Sequence, residues 1–535
     1  MVAMEYDCGS SQFSPYTQPL EFWREAAERR EGSDYVPWSD PERATLRDFA
    51  RRVEAPGAVM ESIEALGDGE TLVVCAGQQT GLFLSPLYII YKAAGAVLWA
   101  RHLSDLLERP VKPLFWIASE DHDYDEVCGL RYLDASGTLQ RWEYDAEVAA
   151  GTSMFDVGLE RDRIASFMDQ LRQHTRETDF REAVIERWMS HAEQSDNLED
   201  FFARGLMDFF GDAGLIPFSS NDASLRKRAA SILRSEIENP GETSRRVKET
   251  GGKAIHRKGD EVNFFLYRRG VRAKVRLEDQ EFQVEDIGSN ETIETLSREA
   301  LLEELDQSPL HFSPNVITRP VVQDGALPVV AMLGGPGERR YLAQLREAEI
   351  YSFFEVPASV VLERPRALLL EPSVERSLEK LGLDQVLLKT EDTAHLREAA
   401  ARASDFGEAL KAVESMEDRA ENLFEDLRPK MGDLMKSPAV ESALDKTLQN
   451  WKKGASKMAK RVRREIEQRD EAAQHHLDRL VNTALPDGHP QERVIGPLAP
   501  FEVHYGTKAF AEFILDNLQI DRGADLQVLR LSDID

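Results

Sequence analysis

Thr71-Leu-Val-Val-Cys-Ala-Gly-Gln-Gln-Thr-Gly81 and, beyond an intervening helical stretch, Pro113-Leu-Phe-Trp-Ile-Ala-Ser-Glu-Asp-His-Asp-Tyr-Asp-Glu126 decide the fold. Each opens as a short apolar run of strand character and ends in polar or glycine-rich residues. Between them, Ser85-Pro86 marks a helix start, with Ser85 as cap and Pro86 as first helical residue. The helix that follows carries Tyr88 and Lys92, four apart and so on one side. Strand, helix and strand in that order predict a βαβ unit, which places ligands at the carboxyl ends of its strands. Both ends here carry groups that a core would not hold.

The totals narrow the function classes. A chain of 535 residues exceeds one compact core, so two or three structural units are expected. Lys and Arg number 66 against 96 Asp and Glu, a net charge of −30, which disfavours nucleic acid or an anionic membrane as a general partner. Three cysteines, Cys8, Cys75 and Cys128, at no metal-ligand spacing, predict a reducing compartment rather than a disulfide framework. No signal peptide is visible, and Leu82–Ala100, interrupted by Pro86 and Lys92, reads as a buried helix rather than a membrane span. The expectation is a soluble cytoplasmic protein.

Outward from the opening unit, helical patterns precede it at Phe22–Arg30 and Glu42–Leu66, and Arg141–Asp156 reads as short strands of a connecting hairpin. A strand at Gly214–Phe218 precedes a helix at Ala223–Ile237. Phe264–Tyr267, a turn at Arg268-Arg-Gly270, and Val271–Val275 predict a hairpin within an inserted α+β lobe at about 240–310. The opening logic then repeats: Pro328–Leu333 as a strand, Gly334-Gly-Pro-Gly337 as a loop, and a helix from Glu338 to Ile350. After Glu371 apolar residues recur at heptad spacing, through Leu410, Ala420 and Phe424 and again through Leu444, Leu448, Trp451, Ala455, Met458 and Val462. The phase slips by four at Ile466, so an antiparallel helical hairpin folding near Asp433 is expected. The organisation read from this is an α/β Rossmann-like core over 1–370, a coiled-coil domain over 371–485, and a segment over 486–535 returning to the core.

Four clusters carry candidate chemistry. Gly77, Gln78, Gln79 and Gly81, with Tyr88 and Lys92, suggest a phosphate or carboxylate site at a helix N-terminus, against the plain reading of a tight turn. Glu120, Asp121, His122 and Asp123 form a run denser in carboxylates than a strand-end turn requires. Such groups repel unless a cation or proton neutralises them, and His122 beside Asp121 and Asp123 suits an oriented general base. Gly334, Gly335 and Gly337 with Glu338 and Tyr341 repeat the first loop; Asn315, Arg319, Gln323 and Asp324 lie just upstream, Arg319 suited either to clamping a carboxylate or to a structural ion pair. The basic block from Lys452 to Arg464 reads by default as a solvated helix face.

These residues together resemble a known family. Gly77-Gln-Gln-x-Gly81-Leu82, Pro86-Leu-Tyr88-x-x-x-Lys92, Phe115 through Glu126, Phe312-Ser-Pro-Asn-Val316, Arg319-Pro320, Gln323-Asp324, Gly334-Gly-Pro-Gly-Glu338 and Leu485-Pro-x-Gly-x-x-Gln-Glu-Arg493 are similar, in order, to the cysteine ligase of bacillithiol biosynthesis, the BshC family. Ser85 departs from the pattern, where glycine is expected. The resemblance implies a Rossmann-like core, a coiled coil and a homodimer. It also implies addition of cysteine to glucosaminyl malate through an amide bond, the last step of making a low-molecular-weight thiol. Chemistry then suggests cysteine activated with ATP and Mg²⁺, phosphate or malyl carboxylate held by the two glycine loops and Lys92, and His122 as base. The rival readings are a metal-dependent hydrolase using the Asp/His run, and a non-catalytic coiled-coil scaffold.

Overall fold

The computed structural model describes residues 15–32, 35–256, 261–390, 392–469 and 471–534. The opening run forms β1 (Leu72–Gln78), followed by α1 (Tyr88–Leu107) and β2 (Val111–Ile117). Further along come α2 (Leu198–Phe210), β3 (Ile216–Ser219), α3 (Thr318–Ala326), β4 (Val329–Gly334), α4 (Pro336–Glu347) and β5 (Val360–Glu363). The five strands form one parallel sheet in the order β5-β4-β1-β2-β3. Their runs are continuously apolar because both faces are covered. The strand order reverses between β1 and β4, and at such a reversal the loops leaving the two strands diverge and open a crevice.

Local sequence explains how tightly this assembles. Gly95 lets α1 press onto the sheet, since a Cβ there would sit 2.5 Å from Leu333 Cδ2. α1 stops at Glu108, which adopts a left-handed conformation (φ 52°). α2 is capped by Asn197, whose side chain accepts from Asp200 N–H at 2.9 Å.

The inserted lobe is an antiparallel sheet in which Phe312–Pro314, Glu261–Arg268, Val271–Glu278, Glu281–Asp286 and Thr292–Leu296 lie side by side in that order. Arg366–Leu370 pairs in parallel with Leu526–Arg530. Three sequence expectations change in detail. The helix expected over Glu42–Leu66 is two, Asp40–Arg52 and Gly57–Ala65, divided where Glu54 turns left-handed before Pro56. The helix expected over Ala223–Ile237 divides at Ala229. The connecting hairpin pairs Gly129–Leu133 with Leu139–Glu143, so it begins before Arg141.

The helical hairpin consists of α5 (Gly407–Met431) and α6 (Pro438–Arg469), joined by a turn at Gly432–Lys436, next to the expected fold point. Its seam is narrower than the heptads predict. Leu410, Ala420, Phe424, Leu444 and Ala455 are buried, whereas Leu423, Leu427, Trp451 and Met458 are exposed, although the Trp451 ring still packs edge-on against Phe424. The basic block is partly paired, through Lys452–Glu421 (2.7 Å) and Arg463–Glu414 (2.9 Å). The side chains of 467–471, where the phase slip would continue, and Cys8 lie outside the described residues. Cys75 is buried and Cys128 partly so. Among the described residues no helix is long and apolar enough to cross a membrane.

Glu199 of α2 is buried behind the ends of β2 and β3, where Ser119 Oγ donates to its Oε1 at 2.5 Å. Burial pushes its carboxyl from 4.5 up to about 7, against the hydrogen bonds from Ser119 and Ser219. The folded protein therefore holds a proton that the unfolded chain releases above pH 4.5, and stability falls as pH rises through 4.5 to 7. Glu199→Gln removes that loss. In urea unfolding it should match the parent near pH 5 and exceed it at pH 8 by on the order of 3 kcal/mol; identical pH slopes in the two proteins would refute the assignment.

Candidate functional site

The crevice at the strand-order reversal is a cavity of about 390 Å³. Its walls come from the loops after β1 and β4, the end of β2, α3, and the segment around Arg493. Of the residues singled out in the sequence, Gly77, Gln78, Gln79, Tyr88, Lys92, Asp121, Arg319, Gln323, Gly335, Gly337, Glu338 and Tyr341 line it. Gly81, Glu120, His122, Asp123, Asn315, Asp324 and Gly334 do not.

The first loop is shaped by close contact. A Cβ on Gly81 would lie 2.0 Å from Ser85 O, so only glycine permits this return of the chain. Ser85 itself is extended (φ −86°, ψ 142°), and α1 begins at Tyr88 with no side-chain cap. This corrects the capping role expected of Ser85. The Leu87 N–H donates to Ile495 O at 2.8 Å, and Ile89 N–H to Pro86 O, so these amides at the helix start are spent on protein.

Lys92 also departs from expectation. It is buried, and its Nζ donates to Gly77 O (2.8 Å) and Gln78 Oε1 (2.9 Å) and pairs with Glu338 Oε2 (2.6 Å). An ammonium has three hydrogens, and all three are committed. Lys92 therefore binds the two loops to each other rather than a phosphate. Burial lowers its pKa and Glu338 opposes that shift. Glu338 completes the link, because the same Oε2 accepts Gly335 N–H (2.8 Å) at the start of α4.

The acidic run is neutralised by arginine. Glu120 is fully buried, with Oε1 on Arg319 Nε (3.0 Å) and Oε2 on Arg226 Nη2 (2.9 Å). Arg319 reaches on to Asp121 at 3.6 Å, and Arg272, from the inserted lobe, to the same carboxylate at 4.0 Å. Burial works against ionisation of Asp121, but these two guanidiniums together with the His122 backbone N–H and ring outweigh it and hold the group below the usual carboxylate range. Asp123 is exposed. Among the described residues no three His, Cys, Asp or Glu side chains come together as a metal-ligand set.

His122 is not placed to serve as the base. Arg272 Nη1 lies 3.2 Å from its Nδ1, and since guanidinium can only donate, Nδ1 accepts and the neutral ring carries its proton on Nε2. The one basic nitrogen is thus occupied. Burial, with Arg272 second, lowers the imidazole pKa and keeps the ring neutral.

Asn315 and Asp324 serve the scaffold. Asn315 Nδ2 donates to Asn263 Oδ1 (3.0 Å) and its Oδ1 accepts Ile317 N–H (2.9 Å), while Asp324 Oδ2 accepts Ser359 N–H (2.8 Å). Burial raises the Asp324 carboxyl, with Arg30 opposing.

Several lining residues were not put forward as site residues in the sequence: Met332 and Arg364, and Trp116, Ala118 and Arg493, which stand there only within the motifs that carry the family resemblance. Arg364 donates to Glu492 (2.8 Å) and lies 5.5 Å from the Tyr88 ring centre. The Arg493 guanidinium makes no hydrogen bond or ion pair among the described residues, yet it acts electrostatically on Tyr88. The Tyr88 phenol is pushed up to about 12, by burial first and Glu338 second. Arg364 was findable by the strand-end logic, since it directly follows β5. Arg493 ends the Leu485–Arg493 motif, which carries the family resemblance but assigns the residue no role.

The cleft thus sets a carboxylate (Asp121) and amides against a guanidinium without a hydrogen-bond or ion-pair partner among the described residues (Arg493), over a floor of Trp116 and Met332. That arrangement suits small zwitterionic or acidic molecules.

A family described as "Bacillithiol biosynthesis BshC, N-terminal Rossmann-like domain" matches residues 10–365, and one described as "Bacillithiol biosynthesis BshC, C-terminal coiled-coil domain" matches 367–526. A relative from Salinibacter ruber is 30% identical over 505 residues, covering 89% of this chain and 85% of its own. One from Chlorobaculum tepidum is 31% identical over 475 residues (84% and 82%), and one from Bacillus cytotoxicus 28% over 466 (84% and 83%). Each carries the description "Putative cysteine ligase BshC".

If Lys92 is the tie between the loops, Lys92→Met should cost about 3 kcal/mol in urea unfolding, the scale for breaking a buried pair. It should weaken every small-molecule ligand of the cleft together. Unchanged stability with selective loss of nucleotide affinity would restore the phosphate role.

Proposed function

The chain belongs to the BshC family of bacillithiol biosynthesis, and from that premise we propose that it joins cysteine to glucosaminyl malate by an amide bond, the last step of that pathway. The observation that carries the reading is the two-signed cleft at the strand-order reversal. A substrate pair that presents an ammonium group and carboxylates needs both signs in one site. Asp121, with the amide of Gln323, receives the ammonium of cysteine. Arg493, supported by Arg364 and the Tyr88 hydroxyl, receives the malyl carboxylates.

Amide formation joins the glucosamine nitrogen to the cysteine carboxyl carbon. The nitrogen gives up a proton and the carboxyl loses an oxygen-bearing leaving group. In water this requires prior activation, and ATP with Mg²⁺ is the proposed source. Because Nδ1 of His122 is occupied, the attacking amine passes its proton to Asp121 or to water. The low pKa of Asp121 fits an orienting role better than a strong base. A cysteine-handling enzyme works with a free thiol, which suits the reducing cytoplasm. The exposed Leu423, Leu427, Trp451 and Met458 of the helical hairpin would be covered in a homodimer.

The test is reconstitution: purified protein, cysteine and glucosaminyl malate, with and without ATP·Mg²⁺, the product thiol followed by mass spectrometry. Product that depends on ATP, with release of AMP or ADP, is expected. Arg493→Gln should raise KM for glucosaminyl malate by about 10- to 100-fold and leave that for cysteine alone, the loss expected for a charge-assisted hydrogen bond. No product from a folded protein under any of these conditions would reject the reading.

A further inference from the structure

An α-amino acid carries its ammonium and its carboxyl on one carbon, so the group that holds the first fixes where the second lies. With the ammonium at Asp121 and Gln323, the carboxyl falls beside Arg319. Arg319 Nη2 approaches Asp121 Oδ2 to 3.6 Å, and Arg319 stands one turn before Gln323 on the same side of α3.

Arg319 is anchored at one edge and open at the other. Its Nε donates to Glu120 Oε1 at 3.0 Å, and Glu120 is itself buried and fixed by Arg226. The approach to Asp121 is an ion pair longer than a hydrogen bond. Neither terminal nitrogen of Arg319 therefore makes a hydrogen bond among the described residues, and neither is a polar atom sealed in the interior without a partner. Arg319 lines the cavity, so these N–H groups are open to a ligand there.

Tyr341 completes this part of the wall from α4. It lies three residues after Glu338, on the side of the helix that meets Lys92 and the cleft. Its hydroxyl likewise has no hydrogen-bond partner among the described residues and is not sealed in the interior. The hydroxyl and the Arg319 guanidinium act on each other electrostatically, which makes them neighbours on the wall. Burial, and Glu338 after it, push the phenol well above the ordinary tyrosine range, with Arg319 opposing. Such a phenol keeps its proton near neutral pH, so it can donate a hydrogen bond but cannot act as a base.

We infer that Arg319 and Tyr341 are a pair of catalytic residues that hold the carboxyl oxygen of cysteine and carry its negative charge while the amide forms; the inference rests on the ligase reading above. The glucosamine nitrogen attacks the carbonyl carbon of cysteine activated by ATP as an acyl phosphate or adenylate. The C–N bond forms and the π pair moves onto the carbonyl oxygen, which accepts from the Arg319 terminal nitrogens and the Tyr341 hydroxyl. The C=O bond then re-forms, the C–O bond to the phosphate breaks with its electron pair, and the nitrogen's proton goes to Asp121 or water. Arg319 and Tyr341 end the step as they began it. Fixed donors aimed at charge that develops in the transition state need no reorganisation as the reaction proceeds.

The experiment uses the full chain with cysteine, glucosaminyl malate and ATP·Mg²⁺. Amide formation is followed in a single turnover, cysteine affinity by calorimetry and stability by urea unfolding. Tyr341→Phe removes a hydroxyl that no protein group depends on, so its urea midpoint should equal the parent's. It should form amide about 100-fold more slowly, the scale for one oxyanion donor, and bind cysteine within about 3-fold of the parent. Arg319→Lys keeps a charge beside Glu120 but loses the terminal fork, and should slow amide formation at least as much. Amide formation within about 3-fold of the parent in either variant would overturn the pair and leave the ligase reading standing. A loss of cysteine affinity in Tyr341→Phe as large as the loss of rate would also overturn it, since the hydroxyl would then serve binding alone. A parent that forms no product would reject the ligase reading, and this inference with it.

Discussion

One buried ammonium group, Lys92 Nζ, holds the working edge of the sheet together. It joins Gly77 and Gln78 at the end of β1 to Glu338 behind the loop after β4. Those loops flank the point where strand order reverses, and without a tie they would diverge into solvent. Burying the ion is tolerable because each of its hydrogens meets an oxygen and Glu338 supplies the opposite charge. Glu338 in turn fixes the first turn of α4 through Gly335. A single side chain therefore sets the spacing of the two glycine loops, and with it the width of the cleft.

The same economy governs the acidic run. Five guanidiniums reach the cleft or its wall, from Arg226, Arg272, Arg319, Arg364 and Arg493. The first three are absorbed by Glu120, Asp121 and His122, and Arg364 by Glu492. Of the charged groups lining the cavity, Glu338, Arg319 and Arg364 are tied to protein partners and Asp121 is partly neutralised, while Arg493 has no hydrogen-bond or ion-pair partner among the described residues. The inserted lobe enters this balance directly, because Arg272 on its strand is what occupies His122 and helps to hold Asp121 ionised.

Much of this architecture was legible in the sequence. The two strands ending in polar loops, the repeated strand–loop–helix at Pro328–Ile350 and the helical hairpin all declare themselves through period and punctuation, which are local properties. Gly77, Gln78, Tyr88, Arg319 and Glu338, put forward in the sequence because polar groups at strand ends are conspicuous, all line the cavity. The roles of Lys92, His122 and Glu120 were not legible. Each depends on a partner distant in the chain: Glu338 for Lys92, Arg272 for His122, Arg226 for Glu120. Which polar group is spent on structure and which is free for a ligand is a tertiary property. Arg493 was visible as the end of a family-like motif, but its place in the cleft, without a side-chain partner among the described residues, depends on the tertiary fold. The heptads likewise overstated the seam: Trp451 packs edge-on against Phe424 of the facing helix yet stays about half exposed, as does Met458.

The central claim is that both substrates meet in the cleft between the two glycine loops. A crystal structure of the protein with cysteine and glucosaminyl malate tests it most directly. The account predicts malyl carboxylates against Arg493 and Tyr88 and the cysteine ammonium at Asp121. Both ligands bound elsewhere, with this cleft filled only by water, would contradict it.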